Sequence, residues 1–142
     1  FIFLIKNYPE TEYSLDAEFK IDIINDTLAS KEMYIGRYYF KKKKWIPAIN
    51  RFRTVVDEYE TTIYTEEALH RLVEVYYTIG LKDEAKKYAK LLGYNYRSSK
   101  WYERSYSVFD KMYEKNKKKL KKDKKKNYSI LKKFKSILSQ NE

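Results

Sequence analysis

A chain of 142 residues is the size of one domain, and 43% hydrophobic residues, 18% aromatic, are enough to bury a core along a helical stack. With no Cys it holds no disulfide, no thiolate metal site and no cysteine nucleophile. The net charge of +11 is uneven: up to Asp110, 18 Lys or Arg stand against 17 Asp or Glu, and from Lys111 onward 13 Lys stand against 3 acids, so the body is nearly neutral and the basicity belongs to the tail.

The chain opens on Phe1 and an apolar run of five residues, too short for a signal-peptide core or a membrane span. Phe1 to Asn7 read as the stump of a helix closing an earlier repeat, so the sequence is expected to be a fragment with any export signal upstream. Next comes the first of three recurrences of an aromatic followed five residues later by another: Tyr8 and Tyr13, Tyr59 and Tyr64, Tyr96 and Trp101, each with a small residue four positions on (Ala17, Ala68, Ser105). Tyr96 follows Tyr59 by 37 positions, and the same offset superposes Tyr39 on Tyr76, Ala48 on Ala85, Phe52 on Ala89 and Val55 on Leu92. A period of this size marks a solenoid, and the tetratricopeptide unit has about 34 residues in two antiparallel helices. Gly36, Tyr39, Ala48 and Phe52 stand at that repeat's Gly, Tyr, Ala and Phe spacing. Gly inside a helix costs about 1 kcal/mol against Ala, so Gly36 predicts a close backbone contact.

Tyr59 follows Tyr8 by 51 positions, 14 more than the repeat requires. Fourteen residues are about four helical turns, so the excess lengthens a helix without rotating its faces. One helix is expected from about Ser14 to Lys42, about 40 Å long at 1.5 Å per residue, with Leu15, Phe19, Ile23, Ile24, Leu28, Ile35, Tyr38 and Tyr39 at helical spacing and its outer end projecting past the neighbouring hairpin. Ser14 and Thr65 read as capping hydroxyls followed by acids, Pro47 suits a first turn, and Gly80 and Gly93 read as left-handed C-caps. The remaining helices are expected near 45–59, 64–79, 82–92 and 99–115. The expected organisation is all-α: C-terminal tetratricopeptide repeats over 1–93, a capping helix over 94–116 and a basic low-complexity tail over 117–142.

The Lys run from 117 to 126 is too hydrophilic to bury anything and reads as a solvated extension. Anionic lipid headgroups or nucleic acid are the targets its charge permits. Tyr128, Leu131, Phe134, Ile137 and Leu138 then return at helical spacing, as a short amphipathic helix folding back on the last hairpin.

Little here points to chemistry. His70 is the single His and has no Cys or carboxylate pair at metal-ligand spacing, so it reads as a helix-face residue. Glu66, Glu67 and Glu74 are explained by the helix dipole and by solvation. There is no phosphate-binding Gly-rich loop, and no cofactor, metal or catalytic residue is expected.

NYPETEYSLDA, KEMYIGRYYFKKKKWIPAINRFRTVVDEY and EEALHRLVEVYYTIGLKDEAKKYAKLLGYNYRSSKWYERSY, in this order, resemble the C-terminal half of the BamD family, tetratricopeptide lipoproteins of the outer-membrane β-barrel assembly complex. The resemblance covers about residues 1–110; Arg97 and Ser98 stand where the most similar branch has Pro-Gly. It implies a scaffold on the periplasmic face of the outer membrane, anchored by a lipid on an upstream Cys that this chain lacks. It also implies docking to BamA, at the POTRA domain nearest its barrel, and service to the smaller lipoproteins of the complex and to nascent outer-membrane proteins. Asn50 and Arg51 occupy the family's Asn-Arg at the BamA contact, and Arg37 is a further contact candidate. The wheel leaves Arg51 about 60° from inward-pointing Ala48, placed either to pair with an acid of a neighbouring helix or to reach a partner. Trp45, at the turn before it, reads as core. Two other readings are a generic repeat adaptor that cradles an extended peptide and a nucleic-acid binder working through the tail.

Overall fold

The computed structural model describes residues 1–110; the expected basic tail and its amphipathic end, 117–142, lie outside the described residues. Phe1–Ser105 form one compact unit. Its helices are α1 (Ile2–Asn7), α2 (Glu12–Lys41), α3 (Trp45–Glu58), α4 (Thr65–Thr78) and α5 (Lys82–Asn95), and a sixth, α6, starts at residue 100. Of the second unit, Tyr106–Glu142, the described part, 106–110, is helical. No strand occurs among the described residues. α2 packs on α1 and α3, α3 on α4, and α4 on α5, the sequence-order nesting of stacked tetratricopeptide hairpins.

The aromatic phrase is a turn built three times. Tyr8, Tyr59 and Tyr96 end α1, α3 and α5 with nearly one backbone geometry, φ −138°, −129° and −136°, each N–H returning to the carbonyl four residues back. Three residues on, a hydroxyl residue closes the turn: the N–H groups of Thr11, Thr62 and Ser99 donate to those Tyr carbonyls, and the Thr11 and Thr62 hydroxyls do so at 2.9 and 2.8 Å. The small residues that follow, Ala17, Ala68 and Ser105, are all buried.

The turns within hairpins also repeat at 37 positions. Lys44 N–H donates to the Tyr39 carbonyl and Lys43 N–H to Phe40; Leu81 and Gly80 do the same to Tyr76 and Tyr77. This is the Schellman pairing, which requires a left-handed residue, here Lys43 (φ 57°) and Gly80 (φ 90°). Around these turns the core gathers Ala29, Met33, Ala48, Phe52, Val55, Ala68, Leu72 and Val75, with Tyr39, Phe40 and Trp45 packed against it. Gly36 is buried against Phe52: a Cβ there would lie 2.6 Å from the ring's Cε1.

Three expectations are corrected. Ser14 does not cap α2; Thr11 does, accepting the Ser14 N–H, while the buried Ser14 hydroxyl is aimed back at the Pro9 and Thr11 carbonyls, both at 2.8 Å. Thr65 likewise directs its hydroxyl at the Tyr59 and Glu60 carbonyls, and α4 has no side-chain cap. Gly93 lies inside α5, which runs on to Asn95; its missing side chain admits Tyr102, whose Cε2 would be 2.5 Å from a Cβ there.

α2 has 30 residues, about 45 Å at 1.5 Å per residue, so the lengthened helix is present. Between Ala17 and Ala29, however, none of its residues is buried, and Leu15, Phe19, Ile23, Ile24 and Leu28 are exposed. The helical period there does not mark a core face.

Candidate protein-docking site

α3 presents Asn50 and Arg51 at the margin of its buried stripe, which carries Ala48, Ile49, Phe52 and Val55. Asn50 is exposed. Arg51 Nη1 lies 3.0 Å from Glu32 Oε2 on α2, with 43% of the arginine side chain and 16% of the glutamate side chain accessible. A guanidinium has five N–H donors in a fixed fork. One donor engages Glu32, and part of the guanidinium side chain stays accessible to solvent.

Arg37 is differently placed. Its Nε donates to Glu67 Oε1 at 2.9 Å and its Nη2 to Glu67 Oε2, a two-point contact that ties α2 to α4. The hydrogen bond to Glu67 raises the Arg37 pKa against the opposing effect of burial. Burial pushes the Glu67 carboxyl up, but the bonds and charges of Arg37 and Arg71 together hold it below the usual carboxylate range. Both of the fork's engaged donors are therefore committed to Glu67, with 38% of the arginine side chain accessible.

From Glu67 the polar contacts run on across the hairpins. Arg71 reaches Glu67 at 3.4 Å and Glu74 at 2.7 Å, its guanidinium lying over the Phe40 ring at 5.4 Å and the Trp101 ring at 5.9 Å. His70 is buried beside them, its Nδ1 2.9 Å from Ser105 Oγ, its Nε2 3.6 Å from Glu74, and its ring 5.3 Å from Trp101. Burial lowers the His70 pKa; Glu74 opposes this, and Arg71 and Arg104 add to it. Glu66 accepts the Ser99 hydroxyl where α6 begins. The acids of α4, read from sequence as solvated, thus join α2, α4 and α6. Their signal was the spacing of Glu67, His70, Arg71 and Glu74, three and four residues apart on one helical face.

These groups support structure. Among the described residues no set of three or more His, Cys, Asp or Glu could hold a metal ion, and no helix is long and apolar enough to cross a membrane. A depression of about 590 Å³ between α3, α4 and α5 has Val56, Leu69 and Leu91 among its lining residues and Glu60 as its one acid. Such a surface offers shape and a few oriented polar groups.

The family model for YfiO, described as an outer membrane lipoprotein, matches residues 1–91. The chain is 56% identical over 105 residues to the outer membrane protein assembly factor BamD of Rickettsia prowazekii, 74% of this chain and 42% of that protein. It is 49% identical over 107 residues to that of Caulobacter vibrioides, 75% and 35%, and 31% identical over 96 residues to that of Neisseria meningitidis serogroup A, 68% and 36%. It therefore spans less than half the length of each of these relatives. Stacked helical hairpins, the family-model match over most of their length and the identities to three BamD proteins together show that this chain belongs to the BamD family of outer membrane lipoproteins.

Proposed function

We propose that this chain is the scaffold portion of an outer-membrane protein assembly factor, docking the BamA periplasmic POTRA domain nearest the barrel and supporting the accessory lipoproteins while nascent outer-membrane proteins are folded and inserted. It acts by holding surfaces in register, without catalysis or a cofactor, at the periplasmic face of the outer membrane, anchored through a lipid on an upstream segment. Its relatives are named outer membrane protein assembly factors, which supports a role in outer-membrane protein assembly. The contact residues in this reading are Asn50 and Arg51 on α3, with Arg37 holding α2, on which α3 packs, to α4.

The observation behind the reading is the Arg51 guanidinium, steadied by a single carboxylate oxygen of Glu32 and otherwise open to a partner. Arg51→Ala is expected to leave the helical circular dichroism intact and to weaken binding to the BamA POTRA domain by about 2 kcal/mol, the size expected for a central arginine anchor. A titration giving parental affinity removes Arg51 from the interface.

A further inference from the structure

The overhanging half of α2 carries an apolar row that the described residues leave largely uncovered: Leu15, Phe19 and Ile23, four residues apart and 64%, 64% and 50% exposed. Leu15 precedes Met33 by eighteen residues, five full turns, so the row continues the side of α2 that Met33 buries in the core. α3 runs back antiparallel from Trp45, and the core cluster on α2 ends at Ala29, leaving the row beyond its reach. The buried residues of this half, Ser14 and Ala17, lie 100° or more round the helix from Leu15, so α1, which packs on α2, is on another flank.

The row is railed by acids. At 100° per residue, Glu12 and Asp16 fall on one side of it, Glu18 and Asp22 on the other, and Asp26 past its end. Between Asn7 and Ser30 there is one cation, Lys20, and it pairs with Asp16 at 2.6 Å. No ion pair among the described residues engages Glu12, Glu18, Asp22 or Asp26. This charge selects among occupants. A second copy of the row would bring like rails together, and an anionic bilayer would meet the same repulsion. An apolar ridge flanked by Lys or Arg satisfies both the row and its rails.

We propose that Leu15, Phe19 and Ile23, railed by Glu12, Asp16, Glu18 and Asp22, dock a basic amphipathic helix of a partner polypeptide. The test titrates the full chain with a fluorescent 18-residue helical peptide of Leu and Lys, and with its twin in which Glu replaces every Lys. The Leu/Lys peptide is expected to bind with one-to-one stoichiometry and to weaken as salt screens the rails. Phe19→Ala and the double change Glu18→Lys with Asp22→Lys each lower its affinity about tenfold, in the range of an interface anchor; the Leu/Glu twin does not bind. All three positions are at the surface, so circular dichroism of the variants stays parental. Three results overturn the proposal: equal binding of the two peptides, parental affinity in the Phe19 or the charge variant, or no binding of the Leu/Lys peptide. Concentration-dependent dimerisation abolished by Phe19→Ala also overturns it, by assigning the row to a second copy.

Discussion

Lys43 holds a left-handed backbone at φ 57°, where Gly80 in the next hairpin sits at φ 90° without a Cβ to strain. Both residues close the same pair of turn hydrogen bonds, so the conformation is imposed by the hairpin and not by the residue. Left-handed geometry costs an L-residue about 1 kcal/mol or more, which glycine escapes. Lys43→Gly is therefore expected to raise stability by about 1 kcal/mol, read as a higher urea midpoint at unchanged slope. The strain was hidden in a run of four lysines, whereas Gly80 announced its turn. Residue identity was legible where chemistry forces a choice and silent where the fold overrides it. Ser14 and Thr65 make the same point: each hydroxyl stands beside a helix start, but the turn behind it supplies two carbonyls at 2.8 to 3.0 Å, and the single O–H is donated toward them.

At the scale of the element, the crossing of α2 and α3 rests on Gly36 against Phe52. Ala would improve helix propensity by about 1 kcal/mol, but its Cβ would press on a fully buried ring, and overpacking of that kind costs about 1 to 3 kcal/mol. Gly36→Ala is expected to destabilise the chain by about 1 kcal/mol net; an unchanged or higher thermal midpoint would show that the ring yields. This contact was readable from the glycine's position in the repeat. Gly93 was misread because its requirement comes from Tyr102, nine residues away and on the next helix. α2 was read correctly in length, and its outer end, expected to project past the neighbouring hairpin, is exposed; periodicity reports which residues share a face, and whether another helix covers that face depends on where α3 stops. The exposed row from Leu15 to Ile23 is the consequence.

Across the whole described unit, the contacts from Arg37 through Glu67, Arg71 and Glu74 to His70 and Ser105 bind α2, α4 and α6 into one polar seam. His70 faces Glu67, Arg71 and Glu74 on its own helix and Trp101, Arg104 and Ser105 on α6. Its pKa is lowered in the fold, chiefly by burial, so below about 6.5 the unfolded chain binds a proton that the folded chain resists. The stability contributed by neutral His70 is complete above that value and is lost as pH falls from it toward the depressed folded value. The Tm is expected to fall on acidification from pH 7 to 5, and His70→Gln to flatten that dependence; equal slopes in the two proteins would exclude His70 as the group responsible.

What the sequence determined by itself was local and periodic: the six helices of the described residues in order, the 37-residue repeat, the lengthened α2 and the small residues at the crossings, because each follows from the 3.6-residue turn and from the volume a crossing allows. What only the tertiary structure decided was which partner each polar group and each exposed face received. Arg37 and Arg51 are alike on paper; one is held at two points by Glu67 and the other at one point by Glu32. Such pairings join residues 19 to 35 positions apart, at distances that the stacking of hairpins sets and that no local pattern encodes.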